Sequence, residues 1–229
     1  MRGELVVGGS TIPGEYILPP LLGRFREKFP EISSTLLIGD TQEVVSWVAE
    51  GRVEVAVVGA RSPQRGLEFR EMMPDEESVV VPTGHPWSGR ADVTLEELAA
   101  EPLLIRERGS GTRAALEAAL ERARLDLGAL RIAGEIGSSQ AIKQAVKEGH
   151  GVSFVSELAI GYERRAGDLQ VARVRELGVI RRTYHSVVSR RRVLSPVTQA
   201  FLEYLRGAPV NAPTGARSAA RRKANHKTS

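Results

Sequence analysis

The densest chemistry in this 229-residue chain lies in Arg106-Glu107-Arg108-Gly109-Ser110-Gly111-Thr112-Arg113. A short apolar run, Pro102 to Ile105, precedes it, and an Ala/Leu/Glu-rich segment, Ala114 to Leu125, follows. Strand, Gly-Ser-Gly-Thr turn and helix in that order can cradle a small anion. Glycines let backbone N–H groups approach a ligand closely. The hydroxyls of Ser110 and Thr112 add donors. The helix start adds orphan N–H groups and the positive end of its dipole. The same residues also fit a ligand-free N-cap on a glycine-rich turn. Repetition bears on the choice. Ser10-Thr11 follows the strand-like Glu4 to Gly9, and Ser138-Ser139 follows Arg131 to Ile136, each ahead of a helical segment; Ser156 repeats the pattern more weakly.

In open parallel sheets, ligands sit at the carboxyl ends of strands, where helix N-termini point. Three such turns predict two α/β lobes facing each other across a cleft, with helix N-termini from both lobes aimed at one ligand. A helix N-terminus contributes roughly 0.3–1 kcal/mol toward an anion, and each hydrogen bond to a charged group about 1.5–3 kcal/mol. Several together exceed the roughly 4–8 kcal/mol needed for millimolar to micromolar binding. Arg106, Arg108, Arg113 and Lys143 are cations near these turns, but each reads first as a solvated surface charge.

Catalytic constellations are lacking in this reading. His85, His150, His185 and His226 have no metal-ligand spacing and read as satisfied or solvated. Ser110 lacks the Gly-x-Ser-x-Gly elbow of a hydrolase nucleophile. Glu107 reads as half of a surface pair with Arg108, and Asp75-Glu76-Glu77 as a solvated acidic turn. The expectation is therefore no catalytic residue, no metal and no cofactor.

The elements that position the turns follow from periodicity. Strands are expected at Glu4–Gly9, Ser34–Ile38, Val53–Val58, Glu68–Met72, Ser78–Val81, around Leu103, at Arg131–Ile136, Val152–Val155, Leu169–Val174 and Thr183–Ser189. Helices are expected at Leu21–Phe29, Gln42–Glu50 capped by Thr41, Thr94–Ala100, Ala114–Leu125, Ala141–Glu148, from Ser156-Glu157 toward Arg165, and Val197–Leu205 behind Ser195-Pro196. Val53 to Val58 is almost wholly apolar, as befits a central parallel strand buried on both faces. The alternation predicts an α/β protein with parallel sheets.

Composition agrees with a folded globular chain, with 41% hydrophobic and 26% charged residues. With no cysteine, disulfides and thiol chemistry are excluded. The opening residues run straight into a strand-like stretch without a long apolar run, so the expected location is cytoplasmic, away from membranes. The net charge is +4, but Arg217, Arg221, Arg222, Lys223 and Lys227 carry five positive charges past residue 208, with no acid among them. Removing those five leaves about −1 for the rest. The segment 208–229 is therefore expected to be a disordered basic tail, read as solubilising rather than as a nucleic-acid arm.

With these residues laid out, the chain resembles the C-terminal effector-binding (substrate-binding) domain of LysR-type transcriptional regulators over residues 3 to about 207. The motifs that carry the resemblance are Gly8-Gly9-Ser10-Thr11-Ile12 with Leu18-Pro19-Pro20-Leu21-Leu22-Gly23-Arg24-Phe25, Lys28-Phe29-Pro30-Glu31-Ile32, Gly51-Arg52-Val53-Glu54-Val55-Ala56-Val57-Val58, Gly84-His85-Pro86-Trp87, Ala145-Val146-Lys147-Glu148-Gly149-His150-Gly151-Val152, and Ser195-Pro196 ahead of Phe201-Leu202. The 108–113 element looks most like the branch regulating sulfur assimilation. The resemblance implies a type 2 periplasmic-binding-protein-like fold of two Rossmann-like lobes around a cleft. Lobe I would take 3–81 plus 186–207 and lobe II 84–183, with crossovers near Pro82 and His185. It further implies a small anionic metabolite, sulfur-containing or carboxylate, as effector, with Ser10, Thr11, Ser110, Gly111, Thr112, Ser138 and Ser139 as the ligand-binding residues, a homodimer through the effector domain, and control of transcription. Glu54 stands where the family often has Asp, a mild change if the position is structural. The family's N-terminal winged helix-turn-helix, its route to DNA, does not fall within these residues, so either the chain is cut at the domain boundary or the natural protein is a stand-alone sensor. Two further readings share the architecture: a solute-binding protein of a transporter, and a prephenate-dehydratase-like lyase. The latter's Thr-Arg-Phe is not matched, because Ala114 follows Thr112-Arg113.

Overall fold

The first strand ends on the first hydroxyl turn. In the computed structural model, which describes residues 1–207, β1 (Gly3–Ser10) is followed by a π-helical turn at Pro13–Ile17 and by α1 (Leu18–Lys28). Helix α1 therefore starts three residues before the expected Leu21. The tail expected at 208–229 lies outside the described residues. Then come β2 (Ile32–Gly39), α2 (Thr41–Glu50) and β3 (Val55–Val58). Asp40, not Thr41, caps α2. Its carboxylate accepts from the Glu43 N–H at 2.8 Å, while the Glu43 side chain accepts from the Asp40 N–H at 3.0 Å. That reciprocal box needs a glutamate three residues after the cap, which Asp40 has and Thr41 lacks.

The two strands expected at 68–72 and 78–81 are one 16-residue strand, β4 (Leu67–Pro82). The intervening residues pair antiparallel with β10 (Ile180–Ser189), which places Asp75 opposite Arg182 and Glu77 opposite Ile180. Asp75-Glu76-Glu77 is thus no solvated turn: Asp75 and Glu77 are buried in the ladder. Their charge is answered by an arginine remote in sequence, which a local reading does not see.

The remaining elements are β5 (Asp92–Val93), α3 (Leu95–Ala100), β6 (Leu103–Arg106), α4 (Gly111–Arg122), β7 (Ile132–Ile136), α5 (Ser139–Lys147), β8 (Val152–Ser156), α6 (Gly161–Ala166), β9 (Leu169–Val174) and α7 (Pro196–Gly207). Thr94 caps α3 through a box with Glu97. Helix α4 starts three residues earlier than expected, taking in Gly111-Thr112-Arg113, and ends at Arg122 rather than Leu125. The helix expected from Ser156 begins at Gly161 instead, and Ser156 closes β8 with its side chain buried.

The main sheet runs β2-β1-β3-β10-β4-β8-β6-β7, with β9 joined to β4 and β5 to β9. Pairs β1–β2, β1–β3, β6–β7 and β6–β8 are parallel, whereas β3–β10, β10–β4, β4–β8 and β4–β9 are antiparallel. Two parallel halves are therefore joined through the antiparallel strands β10 and β4. Strand β4 pairs with β10 up to Glu77 and with β8 and β9 from Glu77 to Pro82.

Side-chain alternation assigns the core to the two faces of this sheet. Val55 and Val57 of β3, Val80 of β4 and Leu104 of β6 enter one cluster with Leu18, Phe25, Ile142, Val146, Tyr184 and Phe201, which spans both halves. On the opposite face, Ala56 and Val58 pack with Val44, Val45 and Val48 of α2. Val79, Val81, Leu103 and Ile105 pack there with Leu116 and Leu120 of α4.

Glu54 proves to be structural. Its carboxylate accepts from the Ser195 N–H at 3.2 Å, the Ser195 hydroxyl at 2.6 Å and the Thr198 hydroxyl at 2.5 Å, fixing the start of α7. Desolvation opposes its ionisation, but the bonds from Ser195 and Thr198 outweigh that and hold its carboxyl below the ordinary range. Glu54→Ala removes acceptors of this cap and is expected to lower the unfolding free energy by about 1–2 kcal/mol, read as a reduced urea midpoint at pH 7.

Candidate functional site

Two strands deliver their last residues to one place, and a third ends beside them. Ser10 ends β1, Arg106 ends β6, and Ser138 follows β7 after Gly137. Ser10 is buried, and its hydroxyl accepts from the Gly59 N–H at 3.1 Å, just past β3. Ser110 is the N-cap residue of α4, is buried, and makes no side-chain capping bond. The first turn of α4 thus keeps its N–H groups without a capping side chain. Ser10, Thr11, Ser110, Gly111 and Thr112 line one small cavity together with Thr41, Gly59, Arg106 and Arg182. Its volume is about 10 Å³, near the lower limit for one water molecule. The two halves of the molecule are closed on each other here.

Gly111 makes that closure possible. A Cβ at this position would stand 3.2 Å from the Gly59 carbonyl carbon and 3.3 Å from the Thr41 hydroxyl oxygen. The glycine expected to admit a ligand therefore also admits the backbone of the opposite half. Beyond it lies a hollow of about 450 Å³, lined by Thr41, Arg61, Arg108, Ser110, Gly111 and Glu117 among others. The two spaces share Thr41, Ser110 and Gly111.

Arg106, read as a surface charge, is only 3% exposed. Its guanidinium donates to the Ser139 hydroxyl at 2.5 Å, to the Thr11 hydroxyl at 3.1 Å and to both oxygens of Glu107 at 2.7 Å. It therefore joins two of the hydroxyl turns across the cleft, and Glu107 is its partner rather than that of Arg108. Arg113 is also buried, engaged by Glu117 at 2.8 Å and Glu135 at 2.6 Å. Lys143 is buried too. Its ammonium donates to the Tyr16 hydroxyl at 3.0 Å, the Ala159 carbonyl at 2.8 Å and Glu163 at 2.6 Å. Three of the four expected surface charges are thus interior, because each finds a carboxylate within reach. Arg108 is exposed, as expected. Ser139 reaches the cavity only through Arg106, and Ser138 is used as the N-cap of α5, accepting from the Ala141 N–H at 3.3 Å.

Arg182 was not singled out from the sequence. Its Nε donates to Asp75 at 2.9 Å, Nη2 to the Tyr184 hydroxyl at 2.7 Å and Nη1 to the Thr112 hydroxyl at 3.0 Å. Nη1 also forms an ion pair with Glu77 at 2.9 Å. Asp75 further accepts from the Ser156 and Tyr184 hydroxyls at 2.9 and 2.6 Å. Neither Glu77 oxygen meets hydrogen-bond geometry. Burial, reinforced by Asp75 and opposed by Arg182, pushes the Glu77 carboxyl up to about 7. The signal available in the sequence was the alternation of Arg182 and Tyr184 in an otherwise strand-like run. His185 is buried and its Nδ1 has no protein partner, so it is neither solvated nor satisfied; burial and Arg61 push its pKa down. His85 accepts from the Trp87 N–H at Nδ1 and His150 is exposed, while His226 lies outside the described residues. Among the described residues no group of three metal-binding side chains occurs, and no helix is long and apolar enough to cross a membrane.

An α/β molecule whose two halves close on a basic, hydroxyl-lined cleft at their strand ends is a type 2 periplasmic-binding-protein-like ligand-binding domain. The chain belongs to the LysR substrate-binding domain family, whose model matches residues 1–209. It is 32% identical over 202 residues to a probable RuBisCO transcriptional regulator of Trichormus variabilis, covering 87% of this chain and 60% of that protein. It is 36% identical over 207 residues to the HTH-type transcriptional regulator CbbR of Xanthobacter flavus, covering 89% of this chain and 60% of that protein. The chain thus spans about three fifths of these curated relatives. The Synechocystis PCC6803 CcmR regulatory domain in complex with 2-PG is similar in structure, with a TM-score of 0.80 at 28% identity over 89% of this chain and 96% of that one.

Glu77 gives the site a measurable signature. Its pKa is raised from the ordinary carboxylate value to about 7, so the folded state binds this proton more tightly than the unfolded chain. The corresponding stability is present below the ordinary carboxylate pKa and is lost as pH rises through 7. Between pH 5 and pH 8 the parent should lose about 2.5 kcal/mol that Glu77→Gln retains, measured as the difference in urea-unfolding free energy between the two proteins at each pH.

Proposed function

We propose that this chain is the effector-sensing domain of a LysR-type transcriptional regulator, taking a small anionic metabolite between its lobes to control transcription. The observation that carries the reading is the start of α4: Ser110 is buried without a capping bond, among the guanidiniums of Arg106 and Arg182 and a wall of hydroxyls. In this reading Ser10, Thr11, Ser110, Gly111, Thr112, Ser138 and Ser139 are the ligand-binding set, Ser138 by holding the start of α5. The lobes are 3–81 plus 186–207, and 84–183, and they part about β4 and β10 to admit the ligand. The 450 Å³ hollow beyond Gly111 is the approach.

The ligand is a small carboxylate, sulfate or phosphate ester. Planar guanidiniums and helix N–H groups suit any of these oxyanions. The bound 2-PG named for the CcmR regulatory domain supports a small organic anion. The sulfur branch suggested by residues 108–113 gains no support from the relatives reported above, which are named for RuBisCO regulation or as CbbR. DNA is reached through a helix-turn-helix outside this chain, and the domain pairs as a homodimer. The two sheet edges, β2 and β7, carry the exposed side chains Ile38 and Ile132, which a second copy would cover.

A thermal-shift panel of 2-PG, sulfate, phosphate and small carboxylates tests the reading. A ligand at 100 times its Kd adds about 2.7 kcal/mol of stability. Arg106→Gln and Ser110→Ala are each expected to weaken the best ligand by about tenfold or more. No shift with any anion, in a parent protein that melts cooperatively, would contradict the assignment.

A further inference from the structure

We propose that Glu77 fixes the charge state in which the cleft accepts its ligand: the anion binds together with one proton, which Glu77 takes from solvent to become a neutral acid. This inference rests on the cleft being an anion site and adds a proton as its second ligand.

The geometry behind it is the sharing of one guanidinium by two carboxylates. Asp75 is fully engaged, with Ser156 on one oxygen and Arg182 Nε and the Tyr184 hydroxyl on the other. Glu77 is almost wholly buried; Arg182 Nη1 forms an ion pair with it at 2.9 Å, and the Thr112 hydroxyl and Arg106 add weaker support for its ionised form. That same Nη1 donates to the Thr112 hydroxyl, and both Arg182 and Thr112 line the cavity. An anion at the start of α4 therefore competes with the Glu77 carboxylate for one amino group of the guanidinium, Nη1, and stands on the other side of it. With Glu77 ionised, Asp75 and Glu77 exceed Arg182 by one negative charge, and a bound anion adds to the excess. With Glu77 protonated, Arg182 is balanced by Asp75 alone, and Nη1 is free to turn its charge on the ligand. Proton and anion thus favour each other's binding, as linkage requires.

Titratable and charged groups face Glu77 from several elements. From its own strand it faces Asp75, from β10 Arg182, from α4 Thr112, from β6 Arg106, and from β8 its ladder partner Ser156, with the Tyr184 hydroxyl one step away on Asp75. The Tyr184 hydroxyl is held protonated, its pKa raised well above the ordinary value chiefly by burial. Glu15, raised by its own burial against Lys143 and Arg106, and His185, lowered by burial and Arg61, lie farther along the cleft and hinge. Burial and Asp75 push Glu77 up to about 7, so its proton is half loaded near neutrality and anion binding completes the loading.

Sulfate is the probe, because its own charge is constant from pH 6 to pH 8. Isothermal titration of the parent domain should give a sulfate Kd about tenfold weaker at pH 8 than at pH 6. At pH 7.5, titration in buffers of different ionisation enthalpy should report uptake of more than half a proton per sulfate bound. In Glu77→Gln, which keeps the shape of the neutral acid, the Kd should differ by no more than about twofold between the two pH values. Arg106→Gln, which should abolish the signal, locates the sulfate in the cleft. A pH-independent Kd in the parent, no proton uptake, or an undiminished slope in Glu77→Gln would each overturn the inference. If Glu77→Gln does not fold, the proton count in the parent decides by itself. If sulfate and the organic anions bind at neither pH, the anion-site reading itself fails, a result distinct from pH-independent binding.

Discussion

The guanidinium of Arg182 stands where the two halves of the sheet meet, on one of the two antiparallel strands that join them. It is bound on one side by Asp75 and Glu77 of β4 and on the other by the Thr112 hydroxyl of α4. A buried arginine without carboxylates would be prohibitively costly, and two buried carboxylates without the arginine more so. The three residues consequently specify one another. Their pairing holds β4 against β10 in one register, and β3 and β8, on either side of that pair, carry β1 and β6 in turn. The cleft depends on this junction, which supplies two of its lining residues, Arg182 and Thr112.

Closure of the cleft is polar rather than oily. Arg106 reaches the Thr11 hydroxyl of the opposite half, Lys143 reaches the Tyr16 hydroxyl, and Gly111 brings the α4 backbone against Gly59. Hydrogen bonds exchanged with water have small net values, so such contacts can be traded for bonds to a ligand at little cost. An apolar seam of the same size would resist opening far more. In the reading proposed above, the residues that hold the lobes together in this state are the ones an oxyanion would engage, so that closure and recognition would be the same set of interactions.

Much of this was legible in the sequence, for local reasons. Strand, hydroxyl turn and helix recur at Ser10, Ser110 and Ser138, and each element is fixed within a few residues by apolar period, glycine and cap. The two-lobed fold follows from that rhythm and from the order of motifs. What escaped was nonlocal. Arg106, Arg113 and Lys143 look like solvated charges until Ser139, Glu135 and Glu163 arrive from other elements. Asp75-Glu76-Glu77 looks like a turn because three acids in a row favour water, and only the antiparallel partner Arg182 reverses that preference. The cap of α2 was misplaced by one residue because Asp40 and Thr41 are both good cap residues, and the choice rests on Glu43.

The face of the sheet that bears Tyr184 has a further consequence. Its cluster runs without interruption from Leu5, Phe25 and Phe201 through Tyr184 to Ile142, Val146 and Ile160. Beneath the polar cleft, the lobes therefore share a single hydrophobic core, and β4 lends its backbone to the ladders of both. Neither lobe can unravel without stripping the other of packing and of a strand. The molecule is divided for recognition but undivided for folding, a single cooperative unit whose binding motion is confined to what one continuous core can bend without breaking.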